Sequence, residues 1–158
     1  MPNSEFKDLG YNFKIECVDS IPTELRDEFK KELSQTDQEL IDYFFNLKLN
    51  NKLEYLISIE NHFIGYCSIQ VDETYWNLYE IYIRKEYREL GIGTKLFEAI
   101  NIESKKDNKQ IRTYTLPSDR TAKNFYESNR ITARVLICLL YTSPSPRDDE
   151  LSRMPSSA

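Results

Sequence analysis

Leu78 to Phe97 reads LYEIYIRKEYRELGIGTKLF, and this stretch decides the fold. Trp76 to Ile83 is rich in aromatic and β-branched residues and predicts a strand. Ile92, Leu96, Phe97 and Ile100 recur at helical spacing and predict a helix to about Lys105. Between them Arg88, Gly91 and Gly93 mark a turn that opens the helix. Glycines let the backbone turn sharply and let a ligand approach closely. The free N–H groups of a first helical turn attract a phosphate, helped by the helix dipole. Arg88 adds a cation and Thr94 a hydroxyl. The plainer reading makes Gly91 a tight turn and Gly93 a packing contact. A dinucleotide fingerprint would need a small residue where Leu96 stands, and the Gly-Lys-Ser/Thr of a P-loop is absent from the sequence.

Upstream, residues 13–18 alternate apolar and polar as a strand does. Pro22 opens a helix whose stripe is Ile21, Leu25, Phe29 and Leu33. Thr36 and Glu39 have the spacing of a capping box, and Leu40, Ile41, Phe44 and Phe45 predict a second helix behind it, ending near Asn50 and Asn51. Leu53, Tyr55, Ile57 and Ile59 alternate with Glu54, Ser58 and Glu60 as a strand. A turn at Glu60 to His62 leads into a second strand, Phe63 to Val71, forming a hairpin. Downstream, Ile111 to Leu116 predicts a strand, Asp119 to Asn129 a helix, and Ala133 to Ile137 the start of a last strand. The order β-α-α-β-β-β-α-β-α-β predicts an α/β (α+β) protein, a mixed central sheet with helices on both faces.

The stretch with glycines resembles the central motif of the GNAT superfamily of N-acetyltransferases, Arg/Gln-x-x-Gly-x-Gly/Ala after an apolar strand. Arg88, Gly91 and Gly93 follow Ile81, Tyr82 and Ile83 here. A second family pattern, Asn-x-x-Ala-x-x-Phe/Leu-Tyr, is matched by Asp119, Ala122, Phe125 and Tyr126, with Asp for Asn. The resemblance covers about residues 11–137 and implies an acyl-CoA N-acyltransferase-like fold. One departure is that Arg130 and Ile131 stand where the family usually has Gly then Phe.

The resemblance implies acetyl-CoA as co-substrate and an amine as acceptor. Backbone groups of Ile81, Tyr82 and Ile83 would hold the pantetheine and polarise the thioester carbonyl. The pyrophosphate would lie over Leu90, Gly91, Ile92, Gly93 and Thr94, with Arg88, Glu89 and Asp119 as further cofactor-binding residues. Glu80 is the candidate base that takes the acceptor's proton, or else a solvated or substrate-binding acid. Tyr126 is the candidate acid for the departing thiolate, or else a core tyrosine. Lys95, Arg120 and Lys123 could reach CoA phosphates, but solvated helix faces explain them. Tyr75, Trp76, Tyr79 and Tyr82 suit either a pocket for a cationic amine or ordinary strand packing. The alternative of another class is a non-catalytic CoA-binding or sensory module of the same fold. The family's frequent dimerisation leaves a homodimer open.

Composition fits this reading. With 21 Lys+Arg against 26 Asp+Glu, the net charge of -5 disfavours nucleic acid as a partner. No apolar stretch approaches a membrane span or a secretion signal, so a cytoplasmic protein is expected. One histidine, His62, and three cysteines, Cys17, Cys67 and Cys138, lack the spacing of a zinc site or a disulfide framework, so no metal is expected. Met1 to Gly10 is polar and is expected to be a flexible N-terminus.

Composition shifts near residue 138. Three of the six prolines fall in the last 21 residues, CLLYTSPSPRDDELSRMPSSA. Cys138 to Asp148 and Leu151 to Ala158 resemble two translated parts of a sequencing-library adapter. A disordered, artefactual tail 138–158 is therefore expected behind an acetyltransferase domain 11–137 truncated before its last strand and arm. Setting aside the tail's three acids and two bases leaves 23 acids against 19 bases, still an acidic domain.

Overall fold

Three consecutive strands form the centre of the sheet: β3 (Lys52–Ile59), β4 (His62–Val71) and β5 (Tyr75–Ile83). The computed structural model describes residues 4–35, 38, 45, 48–115 and 119–132. Before the meander come β1 (Ser4–Asp8), β2 (Tyr11–Val18) and helix α1 (Thr23–Leu33). After it come a 3-10 turn (Lys85–Tyr87), α2 (Ile92–Lys106), β6 (Gln110–Thr113) and α3 (Arg120–Ser128). The six strands lie in chain order, β1 through β6. Every neighbouring pair is antiparallel except β5 with β6, which run parallel.

The turns follow local chemistry. Glu60 and Asn61 take left-handed backbone (φ 44 and 69) and join β3 to β4, pairing Ile59 with His62. The Asp72 carboxylate accepts from the amides of Thr74 (2.8 Å) and Tyr75 (2.6 Å), which fixes the turn into β5. The N-terminus corrects an expectation. Residues 4–8 are not a flexible lead but strand β1, paired to β2 from Ser4 with Ile15 to Asp8 with Tyr11. Leu9 and Gly10, at φ 51 and 81, make the two-residue turn, and Phe6 stacks on Phe13 at 5.2 Å. A single apolar residue in a polar stretch carries no alternating pattern, so this strand was not readable.

Helices cover both faces of the sheet. On one face α1 sets Leu25, with Ile21 before it, against Leu56, Tyr66 and Tyr82. On the other, Ile92, Leu96, Phe97 and Ile100 of α2 and Tyr126 of α3 pack with Ile15, Tyr55, Ile57, Cys67, Ile69 and Leu78. Cover on both faces also buries two of the polar alternates of β3, Glu54 and Ser58. Of the expected second helix Gln38 and Phe45 are described and helical, whereas Lys48 to Asn50, at its expected end, are described and are not helical. The expected last strand, 133–137, and the tail, 138–158, lie outside the described residues.

The end of α3 explains the departure at Arg130. The Ile131 amide donates to the Tyr126 carbonyl and the Arg130 amide to the Glu127 carbonyl, both at 3.0 Å. That pair of bonds closes a helix with a left-handed residue, and Arg130 stands there at φ 66. A side chain in that conformation costs about 1 kcal/mol relative to glycine. Arg130→Gly is therefore expected to raise stability by about 1 kcal/mol in urea unfolding. An unchanged or lowered midpoint would mean that the arginine side chain holds something the backbone argument omits.

Candidate active site

The β5–β6 ladder runs only from Tyr75 with Gln110 to Leu78 with Thr113. Beyond Leu78, β5 continues to Ile83 without a β6 partner among the described residues. The β4–β5 register moves from Ile69 with Leu78 to Ser68 with Glu80, which makes Tyr79 the extra residue of a bulge. Bulge and lost pairing together part the two strands. The gap is a cleft of about 920 Å³, counted to its open mouth. Arg26, Phe29 and Lys30 of α1 form one wall, and Ala122 and Tyr126 of α3 another. Tyr79 and Tyr114 stack at 4.4 Å, both on its lining.

Both expected catalytic residues reach this cleft. Burial pushes the Glu80 carboxyl above the usual carboxylate range, while Arg26 and Lys52 oppose that rise and Glu54 adds to it. Burial also pushes the Tyr126 hydroxyl up, with Asp119 and Cys67 adding to the shift. The shift keeps the hydroxyl protonated and also weakens it as an acid.

Of the expected cofactor residues, Ile81 and Asp119 line the cleft. Asp119 is also the cap of α3, accepting from the Ala122 amide at 3.0 Å. The remaining ones gather at the far end of β5. Gly91 is left-handed (φ 74), and a side chain added there would meet nothing within 4 Å. The preceding Glu89 is left-handed too (φ 66), and Leu90 is exposed. α2 begins with no side-chain cap and no acid in its first turn. By contrast, α3 has Asp119 and α1 has Glu24 at that place. The first-turn amides of α2, from Ile92 to Thr94, thus keep their positive end open to an anion. Gly93 has a second duty: a Cβ there would lie 3.1 Å from the Phe125 ring of α3.

Arg88 is engaged within the protein. Its guanidinium makes two 2.6 Å bonds to the Glu32 carboxylate and one of 2.8 Å to the Ile83 carbonyl. The hydrogen bonds to Glu32 hold its charge firmly. Tyr82 packs under α1 and donates to Glu28 at 3.3 Å, and burial with the Glu28 charge pushes its hydroxyl up to about 12. Among the other candidates, Lys95, Arg120 and His62 are exposed. Trp76 belongs to the core, its indole N–H donating to Asp107 at 2.9 Å. Burial pushes the Cys67 thiol up, as in an inert core residue.

Sequence reasoning missed Arg26 and Glu54. A single Arg26 nitrogen, Nη2, donates to Glu54 Oε2 at 2.6 Å and to Glu80 Oε2 at 3.2 Å. No local signal marks them: Glu54 lies two residues before Leu56, on a face that is buried only because α1 covers it.

The sheet and its cleft are those of an acyl-CoA N-acyltransferase-like fold. Residues 51–129 match the family described as the acetyltransferase (GNAT) domain, half of the chain, and the chain belongs to that family. By that membership it is an acetyl-CoA-dependent N-acetyltransferase. Comparison with curated protein sequences gives no match. Among solved structures, it is similar to an aminoglycoside acetyltransferase from an uncultured soil metagenomic sample, in complex with sisomicin, at 21% identity and TM-score 0.62, over 84% of this chain and 97% of that one. It is similar to a GNAT family acetyltransferase from Elizabethkingia anophelis with acetyl-CoA bound, at 20% identity and TM-score 0.55, over 74% of each chain. It is also similar to a ribosomal-protein-alanine N-acetyltransferase from Brucella melitensis, at 15% identity and TM-score 0.57, over 82% and 98%. At these identities the likeness is one of fold. No described helix is long and apolar enough to cross a membrane. Among the described residues no group of His, Cys, Asp and Glu could hold a metal ion.

The Gly93–Phe125 contact yields a test of how α2 and α3 are coupled. Gly93→Ala is expected to cost about 1–3 kcal/mol of stability. Phe125→Leu should relieve part of that cost, giving a coupling of at least about 0.5 kcal/mol in a double-mutant unfolding cycle. Strict additivity would place the two residues out of contact.

Proposed function

We propose that this protein transfers the acetyl group of acetyl-CoA to a primary amine by direct attack within a ternary complex. The observation that carries the proposal is that Glu80 and Tyr126 line one cleft where β5 leaves β6, with the uncapped start of α2 at the other end of β5. The pyrophosphate rests on the amides of Ile92 to Thr94, where Gly91 leaves open space beside them. The acetyl thioester lies along the part of β5 that β6 has left, between Ile81 and Ile83. Backbone N–H groups there face the carbonyl oxygen and stabilise the charge that develops on it.

Glu80 takes a proton from the acceptor's ammonium group, directly or through water. The freed nitrogen lone pair adds to the thioester carbonyl carbon, and the carbon–sulfur bond then breaks. Sulfur departs as thiolate and receives the Tyr126 proton, and the second proton lost by the acylated nitrogen restores the tyrosine hydroxyl, leaving the amide, the CoA thiol and Glu80 carrying the first proton. Because burial raises Glu80, its proton persists to a higher pH than an exposed glutamate's. Activity should therefore be absent at acid pH and rise as Glu80 ionises, with the limb above the ordinary glutamate value.

Isothermal titration with acetyl-CoA and an assay across amines test this reading. Saturable binding and turnover are expected. Glu80→Gln should lower kcat/KM by about 10²- to 10⁴-fold, and Tyr126→Phe should lower kcat with acetyl-CoA affinity kept. Binding without turnover on any amine would favour the non-catalytic module, and full activity in both variants would overturn the assigned roles.

Arg88 needs its own test, because Glu32 holds it. If it also meets the pyrophosphate, the phosphate competes with Glu32. Glu32→Gln should then tighten acetyl-CoA binding by up to about fivefold at low salt, the size of a partly exposed ion pair. Unchanged or weaker binding would make Arg88 only a clamp between α1 and the cofactor loop.

A further inference from the structure

We propose that Arg26 and Glu54 are positioning residues for Glu80: Glu54 holds the larger share of the Arg26 guanidinium, which leaves Glu80 as the freer carboxylate at the cleft. This rests on the reading of Glu80 as the base.

The sheet builds the arrangement. Glu54 pairs with Ser68 across β3 and β4, and Ser68 with Glu80 across β4 and β5. The three residues form one row on the face under α1. Arg26 descends from α1 onto that row, its guanidinium 5.6 Å from the Tyr66 ring centre. The sharing of Arg26 is unequal. Glu54 takes the 2.6 Å bond and also accepts from the Ser68 hydroxyl at 3.4 Å, whereas Glu80 takes the 3.2 Å bond.

Arg88 shows what an undivided arginine looks like in this protein: two nitrogens on one carboxylate, both at 2.6 Å. Arg26 instead presents one nitrogen to two carboxylates, and its Nε is buried with no partner among the described residues. Two carboxylates and one guanidinium leave this buried row one negative charge in excess.

The division has a chemical consequence. A carboxylate clamped by an undivided guanidinium is a weak base, because the cation favours its ionised form. A base that must take a proton from an ammonium group works better when its affinity for the proton is raised. The groups acting on Glu80 are Arg26 of α1, Lys52 and Glu54 of β3 and Tyr66 of β4, and the cleft it lines is also lined by Lys30 of α1, Tyr79 of β5, Tyr114, and Asp119 and Tyr126 at α3. Burial raises Glu80, Arg26 and Lys52 pull it down, and Glu54 pushes it back up. Glu54 thus acts twice, drawing off the guanidinium and adding its own negative field. Burial of Arg26 works against its charge, yet Glu80 and Glu54 together keep it firmly protonated, so the cation itself does not titrate in any working range.

The two partners should therefore act in opposite directions. Glu54→Gln keeps the shape and gives Glu80 all of Arg26, so the Glu80 titration should move down by about one pH unit or more. Arg26→Gln removes the cation, so the same titration should move up. Carbon-13 NMR of glutamate-labelled full-length protein reads this directly, with the Glu80 carboxyl signal assigned by its loss in Glu80→Gln, and it requires no turnover. A purely structural role for Glu54 and Arg26 would lower the melting temperature without opposite shifts. Should Arg26→Gln fail to fold, Glu54→Gln alone decides: a fall supports the proposal, and no change or a rise overturns it. The acid limb of kcat/KM is then measured in the same variants. If the NMR titration shifts as expected while the limb stays fixed, Glu80 is not the base, and the proposed mechanism fails separately from the sharing of Arg26.

Discussion

The cleft depends on where two parallel strands stop pairing. β5 and β6 hold together for four residue pairs, and Asn77 in the middle of that short ladder is buried. Its amide nitrogen donates to the Gln70 side chain at 2.9 Å and to Asp72 at 2.8 Å. Its amide oxygen accepts from Arg112 of β6 at 2.8 Å. One side chain thus binds β4, the turn before β5, and β6. A parallel pair of four residues would be weak without such a tie. Just beyond it, the bulge at Tyr79 turns β5 aside. The ladder closes one end of the sheet, so the opening at the other end has a fixed hinge rather than a frayed edge.

Helix α1 is sewn to the open half by charge. Arg84 meets Glu24 at 3.0 Å and Glu28 at 2.9 Å, and Arg88 meets Glu32. Those acids recur every four residues on one side of the helix, facing arginines four apart on the segment that leads from β5 to α2. Exposed pairs of this kind add little stability singly. Their value here is in register: they fix where α1 lies along β5, and so where Arg26 meets Glu54 and Glu80. The helix that covers the row of acids is placed by a second set of ion pairs, at the far end of β5.

Local signals made the turn into α2 legible. Gly91 and Gly93 mark a turn and a close contact whatever the partner, because left-handed backbone and the Phe125 ring each disfavour a side chain. The alternating patterns of β2 to β5 and the helical spacing of α2 are also local. Long-range consequences were hidden. Glu54 reads as a solvated alternate until α1 covers its face, and Arg26 reads as a surface residue beside Leu25 until the sheet places two acids beneath it. β1 has one apolar residue, and only its stacking on Phe13 reveals why it pairs. What failed to show in sequence was each interaction made across more than one element.

The lining of the cleft bears on the acceptor. Its α1 side carries Arg26 and Lys30, with Lys52 of β3 beside them. Cations near a bound amine disfavour its ammonium form, because like charge lowers the affinity for a proton. On the mechanism proposed for Glu80, these cations and the freed carboxylate push the same proton in one direction, off the acceptor nitrogen. The cations that weaken Glu80 as a base thus also weaken the amine's hold on its proton, and the balance between the two effects turns on how Glu54 divides Arg26.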